Sequence, residues 1–262
     1  MDYWQTIRAE SARFGELVRA LDAAAPVPSC PGWTVADLTY HLAEVQDQWA
    51  RVVQGADGST LTPLRRPADP DLPDAFEAAS ARLLEALAEA DPAGPCWSWH
   101  PEGGSIAWAL RRQAHEALIH RVDAETAAGL TPAAPAEPGL AADGVDEVLT
   151  VMVAGVPEWG RFTPDGRLLR VRATEGAVVT DLTLRLGRFT GTGPDSGTEW
   201  DLAAAETAAG AAEVDRAPVV QGDAWGLDLW LWGRGPLPVD TATDADPALL
   251  AELRELLVEA TQ

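Results

Sequence analysis

The chain has 262 residues, 47% of them hydrophobic, and 41 acidic against 19 basic residues leave a net charge of −22. A field of that sign repels phosphate backbones and anionic headgroups, so no nucleic acid and no membrane is expected among the partners. Every basic residue is an arginine, which excludes lysine nucleophiles and Schiff bases, and two cysteines, Cys30 and Cys96, are too few for a disulfide framework or a thiolate zinc site.

Residues 3–23 place Trp4, Ile7, Phe14, Val18 and Leu21 at steps of three and four, broken once at Ser11. That is the apolar seam of a bundle helix. The opening MDYWQTIRAE has no basic segment leading into an apolar run. No signal peptide is therefore expected, and the expected location is the cytoplasm. AAPVPSCPGW (24–33) is a breaker-rich loop. Thr34 then caps a second helix, with Asp37 three residues on as an imperfect capping box. This helix runs to about Gln54, with Leu38, Leu42, Val45 and Trp49 on its apolar side and a polar row of Asp37, His41, Glu44 and Gln48.

After a loop over 55–72, a third helix is expected over Pro73–Ala90, with Phe76, Leu83, Leu84 and Leu87 inward. A loop (91–104) containing CWSWHPEGG precedes a fourth helix from Ser105 to about Ala128. Four helices with a long second connection fit a four-helix bundle over 1–130. TPAAPAEPGLAADG (131–144) reads as a linker. Beyond it, 145–262 reads as a smaller α+β domain. It has a short helix over 145–156 and strands over 167–174 and 178–186. Weaker strands at 199–202 and 218–221 flank an Ala-rich helix. A helix over 222–232 and a closing amphipathic helix over 247–260 complete it.

The fourth helix carries the chemistry. Residues four apart on a helix lie ~40° from each other, so Glu116 and His120 share a face, with Arg112 and Asp123 one turn to either side. Burying such a row requires partners or a metal. His115-Glu116 looks like the start of a zincin motif, but the second histidine comes five residues on, about 140° away, so the two histidines cannot share an ion. Glu116 and His120 can. Antiparallel packing could add His41 of the second helix, giving His2Glu with open positions, a donor set of catalytic zinc that also suits iron or nickel. The competing reading is a core histidine and an Arg112–Glu116 ion pair. Cys30 reads as a buried thiol, His115 as structural and His100 as a loop residue near the bundle mouth. Arg112 and Arg121 suit either a carboxylate ligand or ordinary ion pairs. Trp97, Trp99 and Trp108 suit a pocket wall or core filling.

CPGWTVADLTYHLAEV (30–45) and HEALIHRVDAE (115–125) carry a further signal. With Pro31-Gly32-Trp33-Thr34, a histidine seven residues later and Glu116 through Glu125, the chain resembles the actinobacterial mycothiol-dependent maleylpyruvate isomerase family of DinB-like metal-binding bundles. VQGDAWGLDLWLWGR (220–234) looks like that family's sterol-carrier-like C-terminal domain. The resemblance implies an α+β protein with a metal, zinc first, held by His41, Glu116 and His120. It implies mycothiol as the low-molecular-weight thiol, a small electrophilic substrate, and Arg234 as the catalytic arginine of the C-terminal domain. The implied activity is cis–trans isomerisation by thiolate addition and elimination. The alternatives are a mycothiol S-transferase and a non-catalytic metal-bearing binding module.

Overall fold

The structure, a computed structural model, describes the chain except residues 101, 102, 138, 195, 209, 211–213, 261 and 262. It divides into two compact units, Met1–Ala134 and Pro135–Gln262.

The N-terminal unit holds α1 (Tyr3–Ala20), α2 (Val35–Val53), α3 (Leu72–Glu89) and α4 (Ile106–Ala127). Packing of α1 on α3 and α4, and of α2 on the same two, closes a four-helix bundle. Thr34 begins α2 through a reciprocal capping box: its hydroxyl accepts from Asp37 N, and the Asp37 carboxylate accepts from Thr34 N at 2.9 Å. One core cluster gathers Phe14, Leu38, Leu42 and Phe76, and a second gathers Ile7, Trp49, Leu83 and Ile106. The Phe14 and Phe76 rings meet edge-on at 4.7 Å, a geometry worth about 0.5–1.5 kcal/mol beyond burial.

Helix α4 differs from the others because nearly its whole circumference is buried, Arg112, His115, His120, Arg121, Asp123 and Glu125 included. Charges so placed must be matched. Arg121 donates to Glu10 (2.7 Å), to Glu125 (2.8 Å) and to the Ala134 carbonyl (2.7 Å). The Ala134 amide returns a bond to Glu125 at 2.9 Å, which ties the chain leaving α4 back onto the helix.

In the C-terminal unit the helix expected over 145–156 starts earlier. Here α5 spans Leu140–Glu147, beginning inside the expected linker, and runs into a π-helical turn, Val148–Val153. Leu140, Ala141 and Val145 are fully buried, so packing overrides the Pro- and Ala-rich composition that reads as linker. The sheet has the order β3-β2-β1-β4-β5, from β1 (Gly160–Glu175), β2 (Val178–Thr192), β3 (Glu199–Thr207), β4 (Val219–Asp223) and β5 (Ala242–Thr243). All neighbours are antiparallel except β1 and β4.

Strand β1 begins well before the expected Arg167. Its register shifts between Pro164 and Leu168, an irregularity that lets a proline sit in the ladder and hides the strand from a pattern search. Opposite Pro164, a side chain at Gly187 would place its Cβ 2.2 Å from the Thr163 oxygen, so only glycine fits there. The expected Ala-rich helix is overturned over 203–207. Ala203, Ala204 and Ala205 pair with Arg188, Gly187 and Leu186 of β2, and sheet pairing outweighs alanine's helix propensity. Of the rest of that expectation, 209 and 211–213 lie outside the described residues. Helices α6 (Ala224–Leu231), capped by Asp223, and α7 (Pro247–Ala260) complete the unit. The buried face of the sheet includes Leu169, Val171, Leu184 and Leu186.

Candidate metal centre

The bundle brings His41 of α2 against Glu116 and His120 of α4. Glu116 Oε1 lies 3.3 Å from His41 Nε2 and 3.1 Å from His120 Nε2. One ligand atom from each of the three lies within 4.8 Å of the other two, a group that could hold a metal ion. Donors ~2.1 Å from a zinc ion at tetrahedral angles stand about 3.4 Å apart, and the two separations from Glu116 Oε1, 3.3 and 3.1 Å, lie within a few tenths of an ångström of that. Two imidazoles and one carboxylate also leave coordination positions open. The residues present therefore fit a divalent cation.

Each donor is held from behind. Arg112 Nη2 donates to Glu116 Oε2. His120 Nδ1 lies 2.9 Å from Asp123 Oδ2, the histidine–carboxylate arrangement that fixes ring orientation and leaves Nε2 to face the centre. The Trp33 ring packs against His41, centroids 5.0 Å apart. His41 is the most open of the three, its side chain 34% exposed against 15% for Glu116 and 7% for His120, which marks the side from which a small molecule can approach.

The electrostatics favour positive charge at the centre. Burial alone would push the Glu116 carboxyl up, but Arg112 and then the two histidines hold it well below the usual carboxylate range. Burial alone would lower His120, yet Asp123 and Glu116 raise it to about 9. The two carboxylates that favour a proton on His120 equally favour a cation beside it.

The remaining sequence candidates in the bundle lie away from these three donors. His115 is buried on another face of α4, its ring edge-on to Tyr3 at 6.4 Å. Arg121 forms the ion pairs described above. His100 is buried and stacked on Trp108 at 6.0 Å, and Trp49 stands 5.8 Å from Trp108 and 6.3 Å from Trp97. Arg234 lies in the other unit, just past α6, where its Nη1 donates to the Trp232 carbonyl at 2.6 Å. Two features escape sequence reasoning. Asp123 belongs to the polar row of α4, but spacing alone does not assign it to His120 as an outer partner. Ser29, whose hydroxyl donates to Asp123, gives no signal at all, because that contact spans 94 residues.

Among the described residues no helix is long and apolar enough to cross a membrane. Residues 4–125 match the mycothiol maleylpyruvate isomerase N-terminal domain. A crystal structure of the mycothiol-dependent maleylpyruvate isomerase superposes with a TM-score of 0.58 at 18% identity, over 94% of this chain and 93% of that one. A histidine-to-alanine mutant of that enzyme gives 0.58 at 17% identity over the same shares. A likeness at this identity speaks for the fold. No curated protein sequence matches. Residues 4–125, the four-helix bundle, thus belong to the mycothiol maleylpyruvate isomerase N-terminal domain family.

Proposed function

We propose that the chain is a metal-dependent enzyme, with zinc as the metal, that activates the thiol of mycothiol for cis–trans isomerisation of a small unsaturated acid. The observation that carries this reading is the convergence of His41 Nε2, Glu116 Oε1 and His120 Nε2 on one point, with Asp123 behind His120. A divalent cation there supplies the charge that turns a thiol of pKa ~8.5 into its thiolate at neutral pH.

The chain's own residues hold and orient. Arg112 fixes the Glu116 carboxylate, Asp123 keeps the hydrogen of His120 on Nδ1, and the open side at His41 admits the reactants. Isomerisation is then addition of sulfur to one alkene carbon, rotation about the resulting single bond and departure of sulfur, with no net change of atoms. Arg234 is the proposed catalytic residue of the C-terminal unit on the strength of the motif resemblance. Loss of turnover in Arg234→Ala at unchanged metal content would support it.

The test is elemental analysis of untagged protein, followed by mycothiol and a panel of cis-enoic acids monitored by proton NMR. One zinc per chain and mycothiol-dependent conversion to the trans acid support the proposal. A stable sulfur adduct in place of the trans acid would make the protein an S-transferase. Protein that takes up no added zinc would refute the reading.

A further inference from the structure

The loop preceding α2 touches His41 and the carboxylate behind His120. Ser29 Oγ donates to Asp123 Oδ1 at 2.6 Å, and Cys30 Sγ donates to Oδ2 at 3.4 Å. That second oxygen is the one facing His120 Nδ1 at 2.9 Å. Four residues beyond Ser29, the Trp33 ring lies against His41. The loop is not free to drift. Cys30 N donates to Val27 O, Trp33 N to Cys30 O and Val27 N to Trp33 O, each at 3.0 Å, and Gly32 between them takes a φ of 87°. Its serine hydroxyl is therefore presented by a closed, hydrogen-bonded turn.

Asp123 is fully buried, and a carboxylate in that position must be satisfied by donors on both oxygens. Its torsion about Cβ–Cγ is soft, since such terminal torsions have broad wells. A short bond to Oδ1 fixes the carboxylate plane. With the plane fixed, Oδ2 faces Nδ1, the imidazole keeps its hydrogen there, and Nε2 is left to Glu116 and to whatever cation the centre holds.

We propose that Ser29 is a positioning residue of this centre, acting through Asp123 on His120, with the Cys30 thiol as a weaker second donor. The proposal rests on the metal reading above and adds a relay from loop to carboxylate to imidazole to ion. The class of ligand it serves is a divalent cation.

Zinc affinity of the full chain, by competition with a chromophoric chelator, tests it together with the visible spectrum of the cobalt-loaded protein. Thermal unfolding serves as the fold control. Ser29→Ala should loosen zinc by about 10-fold, the lower end of what outer partners of metal-bound histidines contribute, and should shift the cobalt d–d bands. Ser29→Thr keeps the hydroxyl and should restore both. Ser29→Cys, with a weaker donor and an intact side chain, should fall between and keeps the proposal testable if the alanine variant does not fold. A folded Ser29→Ala with wild-type zinc affinity and an unchanged cobalt spectrum would overturn the relay alone. Wild-type protein that binds neither ion would overturn the metal reading and the relay with it.

Discussion

Replacing Glu116 by glutamine tests the centre with the least disturbance to packing, since shape and volume are kept while the one formal negative charge among the three donors is lost. In the wild type, Oε2 accepts from Arg112 while Oε1 stands 3.3 Å from His41 Nε2 and 3.1 Å from His120 Nε2. A glutamine must place its carbonyl oxygen toward the donating Arg112, which turns its NH2 toward the two histidine nitrogens. The position that offered a ligand oxygen then offers hydrogens. Zinc binding worth about 10–16 kcal/mol over four ligands is about 2.5–4 kcal/mol per ligand. Glu116→Gln should therefore weaken zinc by roughly 10²–10³-fold. Equilibrium competition against a fluorescent zinc chelator at fixed pH and ionic strength measures this, with a thermal melt to show that the fold persists. A dissociation constant within about threefold of wild type in a folded variant would refute the assignment of Glu116 as a ligand.

Three further outcomes test the fold. Hydrogen bonds from the Thr34 side chain, then its backbone, then Arg66, hold the Asp37 carboxyl down at about 2. Its folded value lies below its unfolded one, so its contribution is complete above about pH 4 and lost as the pH falls through about 2. Asp37→Ala should lower urea stability by about 1 kcal/mol at pH 7 and by much less at pH 2, and an equal loss at both would contradict the cap. Phe76→Ala empties a site 1% exposed beside Phe14 and should cost about 3–5 kcal/mol in chemical denaturation, whereas a loss under about 1.5 kcal/mol would show that this core collapses to fill the gap. Gly187→Ala sets a methyl 2.2 Å from the Thr163 oxygen and 2.8 Å from Pro164 Cα, both backbone atoms. The β1–β2 pair must open, at a cost of about 1–3 kcal/mol, and an unchanged unfolding midpoint would disprove the clash.

Much of the bundle was legible locally. Apolar steps of three and four, the Thr34–Asp37 box and the breakers after Leu21 mark α1 and α2 to within a few residues, because caps and amphipathic stripes act over one or two turns. The same logic is blind on α4. It is buried on nearly every side, so no apolar stripe separates from a polar one, and its legible feature is the spacing of Glu116 and His120. The sheet was legible only where alternation is uninterrupted. Pro164 concealed the first turns of β1, and alanines that favour helix in isolation became β3 once β2 offered partners.

By itself the sequence determines that the chain is acidic and without lysine, that four helices precede an α+β region, and that Glu116 and His120 share a face, since each depends only on residue identity and helical period. Only tertiary structure decides that His41 joins them, that Asp123 orients His120 and that Ser29 anchors Asp123. Those contacts span 75 residues between His41 and Glu116, and 94 between Ser29 and Asp123. Over such separations the chain carries no local preference for either partner. The packing of the loop before α2, and of α2 itself, against α4 brings them together.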